Sequence, residues 1–310
     1  MTQNTVEQSP ANPRTIVITG ANSGIGLAST FHFARKGDRV VMACRSLDKA
    51  NAAKDQILAE VPGANLVILP LDVSSLDSVQ EFARLFIEQV GQLDVLINNA
   101  GIVAIPLSRN PAGHEMQLAT NYLGAFALTG LLLPHFNPQR QGRIVSIGSL
   151  AHKFGKLPVE DLNWENTPYN EWKAYANSKV ATLSFTIDLN RRLQAGGYNI
   201  MSLGAHPGFA NTNITQNSPS LSNKGGFHSW IQAKMQSRIP TAEQAAEAMI
   251  MAAESDAVRG GEYYGPTGFL EIGGKAGKAK INKIAFDTVK AKALWQVSES
   301  MTGVSYLSNL

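Results

Sequence analysis

The chain has 310 residues, 44% of them hydrophobic, and a formal charge of +3, which is enough to bury one large core. So small a charge, with no basic run interleaved with aromatics, excludes a nucleic-acid partner. One cysteine excludes an intrachain disulfide, and the six histidines lack ligand spacing, so no metal site is expected.

Residues 1–12 are polar, lack a cationic-then-apolar signal pattern and read as a disordered tail. Residues 14–19 read as a buried parallel strand, a short β-branched run that ends at Gly20. The turn that follows spaces its glycines G-x-x-x-G-x-G. Gly20, Gly24 and Gly26 let the backbone bend and approach a pyrophosphate, which a helix starting near Gly26 attracts. Asn22, Ser23 and Ile25 complete that candidate contact set. In isolation the spacing fits an ordinary strand-to-helix turn equally well.

A second strand, 39–43, carries Arg45 past its tip, where dinucleotide sites place the residue that reads the ribose. No acid stands there, and a guanidinium suits a 2′-phosphate, so the tip favours NADP(H). The alternative is a solvated loop arginine. Cys44 beside it reads as a packed strand-end thiol. The third strand, 65–69, runs into Asp72 and Val73. Asp72 either accepts from an adenine amine, caps a helix starting near Ser75, or does both.

The fourth strand, 93–97, ends in Asn98, Asn99, Ala100 and Gly101, a small polar stretch where parallel sheets hold ligands. A plain turn is the alternative. The most apolar run, 125–133, is broken by Thr129 and Gly130, ends at Pro134 and reads as too short to span a bilayer.

Tyr175 and Lys179 stand at i and i+4, so on a helix the ammonium lies beneath the phenol and favours its ionised form. Beside a nicotinamide, such a pair handles a proton while a hydride moves, which is the chemistry of alcohols and carbonyls. Taken alone, the pair also occurs by chance on surface helices. Residues 213–238, rich in Ser, Asn, Gln and Gly, read as a mobile lid. The Gly260-Gly261 and Gly273-Gly274 pairs read as loop punctuation. In 281–297, Ile281, Ile284, Ala285, Phe286, Val289, Ala293 and Val297 recur at near-helical spacing, a stripe for docking on the domain or for an oligomer contact.

Thr19 to Gly26, Asp72, Asn98 to Gly101, Asn121, Ser149, Tyr175, Lys179 and Pro207-Gly208 together follow the order of the short-chain dehydrogenase/reductase family. The chain resembles that family from about Arg14 to beyond Gly268. Three segments resemble its branch of retinol dehydrogenases, WW-domain oxidoreductase and protochlorophyllide reductase: Ala43-Cys44-Arg45, Asp161-Leu162-Asn163-Trp164, and Leu294-Trp295 with Ser298-Glu299 and Thr302-Gly303. The resemblance implies an α/β fold, a Rossmann-type doubly wound parallel sheet flanked by helices, as a single domain over 13–310.

The resemblance also assigns roles. Ser149 holds the substrate oxygen, Tyr175 is the general acid or base, Lys179 lowers the phenol pKa and binds the nicotinamide ribose, and Asn121 anchors a water that passes the proton on. Pro207 and Gly208 lie against the cofactor, and Thr212 binds the nicotinamide carboxamide. Blander roles exist too: a strand-end serine that only caps, Ser146 in its place, or an asparagine that satisfies a kinked helix. The implied activity is hydride transfer between NADP(H) and a lipophilic carbonyl or a primary or secondary alcohol.

Two rivals stay open. One is a protochlorophyllide photoreductase, which the sole cysteine disfavours; the other is a non-catalytic NADP(H)-binding sensor, which the intact proton-transfer set disfavours. Ser149 and Tyr175 lie 26 positions apart, a longer gap than in the shortest family members. The insertion at about 153–173 carries Trp164, Tyr169 and Trp172, which line an apolar pocket or seal the core. A soluble cytoplasmic chain is expected, without the N-terminal anchor of several retinol dehydrogenases, as a monomer or a homodimer paired through the Tyr175 helix.

Overall fold

The computed structural model describes residues 13–208 and 240–308. The expected tail over 1–12, Thr212 and the segment 213–238 lie outside the described residues. Eight strands form one sheet in the order β3-β2-β1-β4-β5-β6-β7-β8. The strands β1 (Thr15–Thr19), β2 (Arg39–Cys44), β3 (Leu66–Pro70), β4 (Val95–Asn98), β5 (Gly142–Ile147), β6 (Ile200–Ala205) and β7 (Tyr263–Pro266) are parallel. Only β8 (Ala276–Lys278) runs antiparallel, at the edge.

Both faces of this sheet are covered, which is why its strands are continuous apolar runs rather than alternating ones. On β1, Val17 belongs to one core with α3 (Leu76–Gln89), α5 (Gly124–Leu132) and α6 (Glu171–Ala195). Its neighbours Ile16 and Ile18 belong to the other, with α1 (Gly24–Arg35), α2 (Leu47–Glu60) and α7 (Ala242–Glu254). Successive side chains thus feed opposite layers. The chain winds outward from β1 to β3, then returns to β4 beside β1 and winds the other way. The expected doubly wound sheet is present, and its reversal opens a crevice beyond the carboxyl ends of β1 and β4.

Three local expectations are corrected. Asp72 does not cap α3: Ser75 does, accepting from Ser78 N, while Asp72 Oδ1 accepts from Ser74 N (3.0 Å) and Ser74 Oγ (2.7 Å). The apolar run 125–133 belongs to a longer helical stretch, Met116–His135, formed by α4 (Met116–Leu118), a π-helical turn (Ala119–Leu123), α5 and a short 3₁₀ turn. At 20 residues and mean hydropathy 1.2 it is long and apolar enough to cross a membrane, yet 83% of that window is buried inside the fold. Thr129 interrupts nothing, because its hydroxyl accepts from Asn98 Nδ2.

The third correction concerns the C-terminal stripe. Asp287 caps α8 (Thr288–Thr302) by accepting from Val289 N and Lys290 N, which divides the segment into two elements out of phase. The buried face of α8 is Ala291, Leu294, Trp295, Ser298 and Thr302, while Phe286 and Val289 are exposed. Trp295 lies 5.2 Å from the Phe126 ring and 5.8 Å from Phe185, with the Arg192 guanidinium 4.1 Å from its centroid. The helix therefore docks on α5 and α6.

Candidate active site

The glycine turn closes tightly because Gly20 and Gly24 take left-handed φ of 67° and 54°. Gly26 is needed for a different reason: a Cβ there would overlap the Gly20 carbonyl oxygen and sit 2.6 Å from Asn99 Nδ2. Ser23 precedes α1 without a side-chain capping bond, which leaves the first-turn N–H groups to an anion. The strand ends are stitched across the crevice. Thr19 Oγ1 accepts from Asn99 N and Ala100 N, both at 2.9 Å, and Asn99 Nδ2 donates to Thr19 O at 2.8 Å. Sequence reasoning missed Asn99 as the organiser of this turn; its partners lie 80 residues away. Asn98 is buried and its Nδ2 donates to Thr129 Oγ1, while its Oδ1 has no partner among the described residues.

Arg45 stands beyond β2 with a 79% exposed side chain, its Nη1 3.9 Å from Asp72 Oδ2. Val73 is buried beside Asp72. Burial pushes the Cys44 thiol up to about 11 and packs it against the Ala21 and Asn22 backbone, so it is the inert thiol that was expected. An open helix N-terminus and a backbone approach free of side chains together suit the pyrophosphate of a dinucleotide.

Helix α6 is capped by Asn170, which accepts from Lys173 N. Tyr175 and Lys179 are both buried on its inner face. Ser149 follows β5 by two residues and receives Ala151 N at 3.2 Å, and its hydroxyl acts on the Tyr175 phenol against the effect of burial. Its rival Ser146 is buried within β5 with no partner among the described residues. Lys179 Nζ donates to Ile147 O at 2.8 Å and lies 5.9 Å from the Tyr175 ring centroid. The expectation that the ammonium lowers the phenol is not met here. Burial pushes Tyr175 up to about 12, opposed only by Ser149, and burial pushes Lys179 down to about 8. Desolvation of two enclosed groups sets both directions.

Asn121 lies in the π-helical turn, the kind of bulge that often marks a working site. Its Oδ1 accepts from Ile102 N (2.8 Å), and its Nδ2 donates to Ile102 O (3.0 Å) and Ser178 Oγ (2.9 Å). Thr182 Oγ1 donates to Asn121 O at 3.2 Å. The bulge is thus pinned to the helix that carries Tyr175 and Lys179. A Cβ on Gly101 would lie 3.0 Å from Asn121 Oδ1 and 3.6 Å from Lys179 Nζ, so four expected residues meet: Gly101, Asn121, Lys179 and, 5.9 Å from that ammonium, the Tyr175 ring.

The insertion mostly seals. Tyr169 Oη has Glu115 Oε1 (2.9 Å) and Ile105 O (3.1 Å) as acceptors within reach of its one hydrogen, and its ring packs edge-on to Trp164 at 5.4 Å. The cavity between Trp164, Leu162, Glu115 and Ala174 is ≈ 10 Å³, room for about one water. Trp172 is the exception, half-exposed and 6.5 Å from the Tyr175 ring. Glu115 was not anticipated. It caps α4 through Gln117 N and Leu118 N, and burial holds its carboxyl above the usual range. Past β6, Gly208 N donates to His206 Nδ1 at 3.1 Å and Gly208 has φ 73°, which turns Pro207 and Gly208 at the sheet's carboxyl edge.

The depressed Lys179 value carries a stability consequence. Between about pH 8 and 10.5 the unfolded chain holds a proton on this amine that the folded chain has released, so stability rises with pH across that window. Lys179→Met is expected to remove roughly 3 kcal/mol of that rise, seen as a flatter dependence of cofactor-free denaturation midpoint on pH.

Residues 14–222 match the sequence model of the short chain dehydrogenases. The chain is 41% identical to retinol dehydrogenase 13 of Homo sapiens over 201 residues, 65% of this chain and 60% of that protein. It is 36% identical to retinol dehydrogenase 14 of Mus musculus, covering 94% of this chain and 86% of that one. Among solved structures, an uncharacterized protein from Mycobacterium paratuberculosis superposes with TM-score 0.76 at 37% identity over 94% of both chains. L-Sorbose reductase from Gluconobacter frateurii, complexed with NADPH and L-sorbose, shares the fold at TM-score 0.64 and 21% identity, over 81% of this chain and 94% of its own. The chain belongs to the short-chain dehydrogenase/reductase family, and its relatives include retinol dehydrogenases.

Proposed function

We propose that this protein is an NADP(H)-dependent oxidoreductase acting on lipophilic carbonyls and the corresponding primary or secondary alcohols. The observation that carries this reading is the buried Tyr175 phenol with Lys179, whose ammonium is held by Ile147 O at the carboxyl end of β5 and lies 5.9 Å from the Tyr175 ring. Bound NADPH supplies a hydride to the carbonyl carbon. Ser149 orients the carbonyl oxygen, and Tyr175 gives its proton to that oxygen as charge develops there. A phenol held up at about 12 keeps its proton at neutral pH, so in its cofactor-free state the site is loaded as an acid, in the sense of reduction. Asn121, bonded to Ser178, holds the π-helical turn against the helix that carries Tyr175 and Lys179.

The preference for a lipophilic substrate is supported by Trp172 beside Tyr175 and by the names of the retinol dehydrogenase relatives. The preference for a 2′-phosphate rests on Arg45, exposed and free of any hydrogen bond shorter than its 3.9 Å approach to Asp72 among the described residues. The test is oxidation of NADPH and, in parallel, NADH by a panel of long-chain and aromatic aldehydes and ketones that includes all-trans-retinal. Arg45→Ala is expected to lower kcat/KM for NADPH about 10- to 100-fold and to change that for NADH less than about threefold. Equal losses with both cofactors would sink the phosphate role.

A further inference from the structure

The chain just past β5 is held from two sides. Gly148 N closes the last ladder bond, on Ala205 O at 2.8 Å, and Ser149 is the first residue beyond it, in extended backbone. Tyr263 of β7 presses on this point, since a Cβ on Gly148 would overlap its Oη. From the other side comes His152, in the 3₁₀ turn Leu150–Phe154. Its main-chain N donates to Ser149 O at 3.2 Å, and its ring Nδ1 is hydrogen-bonded to the same carbonyl.

A carbonyl oxygen only accepts, so Nδ1 carries the hydrogen and the tautomer is fixed. Nε2 is then a bare acceptor, buried without a partner among the described residues. The ring is fully buried and stands edge-on to Tyr263 at 5.3 Å, and burial holds its pKa below the usual histidine value, which favours the neutral form. An apolar side chain of this size would fill the same space without leaving a nitrogen unpaired. What the imidazole adds is its bond to Ser149. The turn that carries it is itself tied down, because Asn282 Nδ2 donates to His152 O at 2.8 Å and to Gly155 O at 3.2 Å.

We infer that His152 is a positioning residue for Ser149: the ring's bond to the Ser149 carbonyl fixes the rotation of that peptide and with it the direction in which Oγ meets a substrate oxygen. Oγ has its own tie, accepting from Ala151 N at 3.2 Å, which leaves the hydroxyl hydrogen to be donated. Main chain and side chain of Ser149 are thus held by the residues two and three positions further on, within one turn. The inference rests on the proposed carbonyl chemistry, in which Ser149 orients the substrate oxygen. Misplacing such a group by about 1 Å costs on the order of 10²-fold in rate.

The experiment compares His152→Asn, His152→Gln and His152→Ala in the full chain, with NADPH and the carbonyl of the panel that the wild type reduces fastest. Asparagine keeps a donor where Nδ1 stands, glutamine keeps one where Nε2 stands, and alanine keeps neither. His152→Gln and His152→Ala are expected to lower kcat about 10- to 100-fold, with KM and NADPH affinity changed less than about threefold, while His152→Asn stays within about fivefold of the wild type. A side chain that only fills space would rank the variants by volume, glutamine above asparagine above alanine. That order would overturn the inference, as would three variants as active as the wild type. Where His152→Ala does not melt cooperatively, the order of the asparagine and glutamine variants decides alone. A wild type that reduces no carbonyl would overturn the proposed function and this inference with it, whereas an active wild type with the volume order would overturn this inference only.

Discussion

Tyr175→Phe is expected to lower turnover of any accepted carbonyl about 10³-fold or more, near 4 kcal/mol of barrier, and to leave NADPH binding within about threefold. The substitution removes one oxygen from a side chain that is otherwise fully enclosed, so packing is preserved and the loss falls on proton transfer. Ser149 is the one side chain that opposes the effect of burial on this phenol, and the phenyl ring leaves it nothing to act on. Ser149→Ala should show a loss of the same kind, and the two should be far from additive, because each acts on one oxygen of the substrate. Cofactor binding measured by NADPH fluorescence separates this outcome from misfolding. A Tyr175→Phe enzyme that keeps most of its turnover would remove the proton role.

Gly26→Ala is expected to weaken NADPH binding about 10- to 100-fold and to lower the melting temperature. The added methyl would overlap the Gly20 carbonyl and meet Asn99 Nδ2 at 2.6 Å, so either α1 retreats from the strand or Asn99 leaves Thr19. Either way the helix N-terminus moves from the place where a pyrophosphate would lie. The same change displaces the Thr19 bridge to Asn99 and Ala100, which links the first and fourth strands at the point where the winding reverses. Isothermal titration with NADPH checks it; unchanged affinity would mean that the turn does not hold the cofactor.

What was legible in the sequence was local. The glycine spacing, the Tyr175–Lys179 interval and the small-residue strand end are signals spread over fewer than ten residues each, and the structure brings them to one edge of the sheet. Helical spacing placed Tyr175 above Lys179 correctly, but spacing carries no information on desolvation, which decides the protonation of both. The Thr19–Asn99 stitch, the Asn121–Ser178 bond and the Tyr169–Glu115 bond join residues 80, 57 and 54 positions apart. Each partner taken singly reads as an ordinary polar residue. The C-terminal stripe was misread for a different reason: counting one period through Asp287 merged a 3₁₀ turn and a helix whose faces do not align, and it made core residues of the exposed Phe286 and Val289.

Transfer of label from NADPH deuterated at nicotinamide C4 is the most direct test of hydride delivery to a carbonyl carbon beside Tyr175. Mass spectrometry of the alcohol formed from a long-chain aldehyde should show one deuterium on the carbinol carbon with the wild type, on one face of the product, and a rate of label transfer about 10³-fold lower with Tyr175→Phe. Tight NADPH binding with no deuterium in any product across the carbonyl panel would contradict the account and leave a cofactor-binding protein without this chemistry.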